Sequence, residues 1–446
     1  MLCIFLILEM GIKMTPIKTD LWDSVSLTSI KSDKFKTGMI SFSLAMPLSA
    51  EHTALNLLLS GVMRRGSEKY PSMAHLNRRL DELYATSIDI KNARFGKNEM
   101  FLITAEILDN AFVGDETDVL DGTAEVVAEL LLHPLTDGEA FPKSSVEREK
   151  VTVCDAIRAE INNPKSYASN RCAELMHAAD GDFAHVKGLL QIVEDTDEIS
   201  LYAHYKNLIE NAKLNVFYIG SEEHGYVADI IKKHFSSFAG KQTALIPIKA
   251  EKLTSLKEVT EPFAVSQGKL SMGFRIGVCT GSEEYFAAVL FNEIFGSSPA
   301  SKLFMNVRER LGLCYYCASS YDTYLGNITV ASGIDVANFD ITKSEILRQL
   351  DEIKNGNISD AELEAAKKSI AHWYRQMYDY PFELFAFYST RQLFGIDASP
   401  EEYLGIFEAV TREQVVSVAN KMSLNVVYFL KGTLAAEDDD PLGGDE

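Results

Sequence analysis

Residues Pro299–Tyr321 read PASKLFMNVRERLGLCYYCASSY, and two kinds of periodicity meet inside this stretch. Leu303, Phe304, Val307 and Leu311 recur at helical spacing, which predicts a helix with one apolar face. Gly312 stands where a helix end wants a left-handed residue, and Leu313–Ser319 alternates as a strand does. A helix that runs through Gly312 directly into a strand fixes Arg308 near the helix end and Tyr315 at the strand start. Cys314 and Cys317 have CxxC form, but positions three apart on a regular strand point to opposite faces. No second Cys or His pair lies nearby in sequence to complete a tetrahedral zinc site.

Working outward, the chain reads as one plan used twice. In the first half, strands within 22–47 lead to a helix at about Glu51–Arg64, whose Leu55, Leu58, Leu59, Val62 and Met63 form a single apolar stripe. A second helix, paired strands and further helices follow, up to a strand at Leu214–Gly220. Lys269–Gly277 then reads as a new first strand, Ser282–Phe295 as a new first helix, and 299–321 as a new second helix with its strand. The clearest echo is LNVFY, Leu214–Tyr218, against LNVVY, Leu424–Tyr428. Two copies of an α+β unit are the economical explanation. The expected boundaries are 14–240 for the first domain, 241–266 for a linker poor in periodicity, 267–434 for the second domain and 435–446 for an acidic tail.

The run VRERLGLCY resembles the segment of the M16 metallopeptidases (pitrilysin, insulinase and mitochondrial processing peptidase) in which an Arg and a Tyr reach into a zinc site made by another domain. Arg308 and Tyr315 fall on those two positions, and Ser301-Lys302-Leu303-Phe304 is similar to the family's Ser-Arg-Leu-Phe approach. The resemblance spans roughly 20–434. It implies two tandem homologous α/β-sandwich domains, each an antiparallel-rich sheet with helices packed on it, which together make half of a clamshell.

The family's metal motif, His-x-x-Glu-His in the first helix, puts two imidazoles one turn apart on one face and a carboxylate between them to deprotonate the metal-bound water. Arg65-Gly66-Ser67 resembles the family's Lys-Gly-Thr and sets the register. The histidine positions then fall on Leu57 and Gly61, and the glutamate on Ser60. Val146–Pro164 resembles the helix that carries the distal zinc-binding glutamate, and that position is Ala156. Glu149 matches an assisting glutamate, but with no metal beside it reads as a solvated helix carboxylate. The nine histidines, taken without reference to any family, include no two that are three to five residues apart. Each reads as a surface or capping residue, and no metal site is expected in this chain.

Length and charge bound the rest. A chain of 446 residues exceeds what one core fills, so at least two domains are expected. The net charge is −21, of which Glu437–Glu446 carries six, and this argues against a nucleic-acid or anionic-membrane partner. The six cysteines show no disulfide framework, and the apolar Met1–Leu8 lacks a basic flank and a cleavage site. A cytoplasmic protein is expected, with export as the minority reading.

What the resemblance implies about function is a division of labour. In heterodimeric M16 peptidases one subunit supplies the metal helix, and the other, its motif decayed, supplies Arg and Tyr. This sequence resembles the second kind, of the bacterial type, because it lacks the long glycine-rich loop of the mitochondrial subunit. The implied partner is a homologous M16 subunit with an intact His-x-x-Glu-His that holds zinc, and the implied substrate is an unfolded peptide. The alternative is an inert peptide-binding or structural protein of the same fold.

Overall fold

In a computed structural model of the chain, which describes residues 14–178, 186–250 and 255–434, the two echoing pentapeptides lie in corresponding strands of two sheets. The first sheet uses β1 (Ile17–Trp22), β2 (Val25–Lys31), β3 (Thr37–Pro47), β4 (Ser87–Phe95), β5 (Asn98–Leu108) and β6 (Leu214–Gly220) in the order β1-β2-β6-β3-β5-β4. The second uses β7 (Lys257–Phe263), β8 (Gly268–Arg275), β9 (Cys314–Asp322), β10 (Asn327–Ile334) and β11 (Ser423–Gly432) in the order β7-β11-β8-β10-β9. With β1 set aside the two orders are the same. In each sheet the strand bearing the echo makes one parallel pair, β2 with β6 and β7 with β11, while the other pairs are antiparallel. The fold is therefore α+β with an internal duplication.

The composition of 257–263 reads as linker, yet this segment is β7. Its residues alternate between exposed and half-buried along the edge of the second sheet, and an edge strand with one neighbour tolerates the charges of KEVTEPF. The apolar run at the N-terminus and the acidic tail lie outside the described residues. No helix among the described residues is long and apolar enough to cross a membrane.

Two compact units divide the chain, and neither is a continuous stretch. The first takes 1–157, 186–246 and 380–392, and the second takes 158–185, 247–379 and 393–446. In the first unit the helix Ala50–Met63 lays Leu55, Leu58, Leu59 and Val62 into a core shared with Phe42, Leu44 and Phe235. The same unit receives the helix Pro381–Leu393 from late in the chain. Phe385 of that helix meets Phe217 edge-on at 5.5 Å, and Thr28 donates to Gln392 at 2.9 Å. The second unit receives the helix Pro164–His177 from early in the chain. Its Ala168, Cys172 and Met176 pack with Val426, Tyr428 and Leu430 of β11. Gly273 in β8 allows this approach, since a Cβ there would come within 2.9 Å of Met176 Cγ.

The decisive stretch keeps its predicted plan with one change of winding. Leu303–Arg310 is helical, but wound as a π-helix, the wider turn that recurs at functional positions. Leu303 and Val307 are buried, whereas Leu311 is exposed past the last turn. Gly312 adopts φ +60°, the left-handed value that ends the helix, and β9 starts two residues later. Ser359 and Thr411 cap the helices that follow them, each as a reciprocal capping box with Glu362 and Gln414.

Candidate functional site

The helix onto which the resemblance maps the family's metal motif, Ala50–Met63, lies in the first unit. Leu57, Ser60 and Gly61 share one side of the helix Ala50–Met63, and Ser60 turns its hydroxyl back onto the carbonyl of Leu57 at 2.8 Å. The helix Lys143–Ala159 brings Glu149 against this side. A Cβ built on Gly61 would run into Glu149 Oε2 and lie 3.0 Å from its Cδ. The Arg65 guanidinium, one turn beyond Gly61, pairs with the same carboxylate. Ala156 faces solvent two turns further along, between Cys154 and Ile157, which are buried against Ala54 and Val193. Glu149 is thus not the solvated carboxylate expected from its sequence context. It is 7% exposed and tied to an arginine, because a glycine at 61 clears the room that it fills.

These residues do not fit a zinc ion. None of the four positions offers a nitrogen, sulfur or carboxylate donor, and the nearest carboxylate is already bound to Arg65. Among the described residues no group of three His, Cys, Asp or Glu side chains converges in a way that could hold a metal.

A separate polar cluster lies near the start of the same helix and was not visible in the sequence. His204, 6% exposed, bonds through Nε2 to Oδ1 of Asn56 at 2.8 Å, and its ring lies 5.6 Å from that of His52. Glu99, 1% exposed, accepts from Thr53 Oγ1 at 3.0 Å. Its Oε1 is buried and has no hydrogen-bond partner. Burial pushes the Glu99 carboxyl up from its ordinary value, and burial pushes the His204 imidazole down to about 4. The expectation that each histidine is a surface or capping residue fails for His204, and for His177, which is 3% exposed. Residues 52 and 204 are far apart in sequence and meet only through the fold.

In the second unit, Arg308 and Tyr315 are both exposed, Tyr315 at 56%. Arg308 lies over the ring of Phe304 at 4.7 Å, with Nε 3.6 Å from Glu309 Oε1. The Tyr315 hydroxyl donates to Asp335 Oδ1 across a long 3.4 Å. Lys302, on the position that resembles the family's Arg, is buried and pairs with Glu362 at 2.7 Å. It therefore anchors the π-helix rather than facing solvent.

β9 is not a regular strand at its start. Cys314 pairs with Ile334, Tyr316 with Gly333 and Cys317 with Ser332, so Tyr315 is an extra residue in a β-bulge. The expectation that Cys314 and Cys317 face opposite ways is overturned by this bulge, since both are buried and lie opposite Ile334 and Ser332, which share one face of β10.

Comparison with known proteins places this geometry in context. Residues 199–370 match the family described as Peptidase M16 inactive domain. A Bacillus subtilis chain named "Probable inactive metalloprotease YmfF" is 31% identical over 407 residues, covering 91% of this chain and 96% of its own. A second B. subtilis chain, named "Uncharacterized zinc protease YmxG", is 22% identical and covers 82% of this chain and 87% of its own. Among solved structures, a conserved protein from Enterococcus faecalis V583 superposes with a TM-score of 0.86 at 26% identity, over 94% of this chain and 99% of that one. A peptidase M16 inactive domain from Pseudomonas fluorescens superposes with a TM-score of 0.77 at 16% identity, over 94% and 99%, and so shares the fold.

Proposed function

The chain belongs to the M16 peptidase family, as an inactive homologue, and from that premise we propose that it is the non-catalytic subunit of a two-chain zinc endopeptidase. The observation that carries this reading is an asymmetry between the two units. Where zinc would sit, Glu149 fills the space above Gly61. Where the family keeps its arginine and tyrosine, Arg308 and Tyr315 are retained and exposed, with only weak partners of their own.

In this reading a homologous subunit with an intact His-x-x-Glu-His supplies the zinc and its activated water. Arg308 binds a carbonyl or carboxylate of an unfolded peptide. The Tyr315 hydroxyl leaves Asp335 and donates to the oxyanion that forms as the peptide carbonyl is attacked. A single donor of this kind is worth about 10²–10³ in rate. We place the pair in the cytoplasm, because the scattered spacing of the six cysteines gives no disulfide framework, as suits a reducing compartment.

The test is affinity purification of the tagged chain from its native host, with zinc analysis and identification of what comes with it. A co-purifying M16 chain with an intact motif and bound zinc is expected. In the reconstituted pair, Arg308→Ala and Tyr315→Phe should each lower kcat/KM by about 10²–10³. Unchanged kcat/KM would favour an inert peptide-binding or structural protein, and chelator-sensitive peptide hydrolysis by the chain alone would overturn both readings.

A further inference from the structure

We propose that Cys314 and Cys317 form a reversible dithiol–disulfide pair, a modification site that lies beyond the peptidase reading and does not depend on it. The bulge at Tyr315 makes the pair. On β10, Ile334 and Ser332 are two residues apart and so face the same way, and their partners Cys314 and Cys317 must do likewise. Two residues of β10 advance about 6.6 Å. That is within the Cα separation of about 4.4–6.8 Å that a disulfide spans. A regular strand would set the same two cysteines about 10 Å apart on opposite faces.

The surroundings make the two thiols unequal. Cys314 is 9% exposed and Cys317 is 3% exposed, so a small oxidant reaches Cys314 first. The neighbouring Cys317 thiol holds the Cys314 thiol below the usual range, helped by the Ser332 hydroxyl and by the charge of Arg308. The neighbouring Cys314 thiol and burial push Cys317 well above that range. An outer thiol that ionises more readily than the inner one beside it suits exchange with a small disulfide. With no third His, Cys, Asp or Glu converging among the described residues, the pair does not make a zinc site.

The oxidant is a low-molecular-weight disulfide of the glutathione class. The Cys314 thiolate attacks one of its sulfurs, the S–S bond breaks, and one small thiolate leaves. Cys317 then loses its proton and attacks Cys314 Sγ, which expels the second small thiolate and closes the protein disulfide. Two protein thiols are oxidised, one small disulfide is reduced to two thiols, and the small thiolates take up the protons. The three other described cysteines, Cys154, Cys172 and Cys279, are buried elsewhere in the chain and serve as internal controls.

The full-length chain is equilibrated across a series of reduced-to-oxidised glutathione ratios, quenched in acid, unfolded, alkylated and digested with trypsin. The peptide Leu311–Lys343 contains Cys314 and Cys317 and no other cysteine. At oxidising ratios this peptide should carry no alkyl group and weigh two hydrogens less than its free dithiol form, and it should carry both alkyl groups at reducing ratios. Cys154, Cys172 and Cys279 should stay alkylated throughout. In Cys317→Ser a glutathione adduct should accumulate on Cys314, while Cys314→Ser should leave Cys317 unmodified. Full alkylation of the wild-type peptide at every ratio would overturn the proposal. So would a wild-type peptide that stops at the glutathione adduct.

Discussion

Glu149 stands where the side chain of residue 61 would begin, with its Cδ 3.0 Å from the position of a Cβ on Gly61, and Arg65 holds it there. The helix that would carry a metal is therefore closed by an ion pair rather than simply lacking ligands. Gly61→Ala should force the carboxylate away from Arg65 and cost about 1–3 kcal/mol, the usual range for overpacking. In a Glu149→Ala background the same change should cost much less. A double-mutant cycle by urea denaturation measures this coupling, and additivity would show that the two positions do not compete for one space.

His204 should make stability fall in mild acid. Its folded value is depressed to about 4 from 6.5, so the unfolded chain binds the extra proton between those values. The contribution is full above about pH 6.5 and is lost as pH falls toward 4, amounting to about 3 kcal/mol. Glu99 has the opposite sign. Its raised value means that stability present at low pH is lost as pH rises through the folded value. Unfolding free energies across pH 4–7 should show a shallower acid loss for His204→Gln than for wild type, and a steeper one for Glu99→Gln.

Met176 belongs energetically to the second sheet although it lies early in the chain. Truncation to alanine opens a cavity against β8 and β11 and should cost about 2–5 kcal/mol. Amide exchange in β8 and β11 should accelerate, while β3 and β5 remain protected. Uniform acceleration in both sheets would contradict the assignment of the helix Pro164–His177 to the second unit.

Arg308→Ala and Tyr315→Phe should leave the isolated chain almost as stable as wild type, within about 0.5 kcal/mol, since both side chains are exposed and weakly bonded. Thermal denaturation checks this. The result matters because any loss of activity in a reconstituted pair can then be assigned to the missing groups and not to the fold.

Much of the architecture was legible because it rests on local signals. The apolar stripe of the first helix, the glycine at 312 and the LNVFY and LNVVY echoes each act within a few residues, and each appears where periodicity puts it. The register set by Arg65-Gly66-Ser67 assigned the family's metal positions to Leu57, Ser60 and Gly61, but what packs against them was hidden. Glu149 reaches Gly61 only through tertiary packing, and glycine's lack of a side chain says nothing about what enters the vacated space. The bulge at Tyr315 was hidden for a related reason. It depends on the pairing of β9 with β10, where the ring of Tyr316 lies across Gly333, and no alternation within one strand reveals its partner's register. The segments Pro381–Leu393 and Pro164–His177 could be read as helices or missed, but nothing in them states which sheet they cover.

That crossing of helices has a consequence for anyone who wishes to take the protein apart. A break in the backbone near residue 250 would leave an amino-terminal fragment carrying a cover for the other fragment's sheet, and the reverse. Neither piece would be a finished body, and each would expose an apolar floor in solution. Truncation libraries and half-length expression should fail with this chain, whereas a protease nick in that region should go unnoticed until denaturant is added.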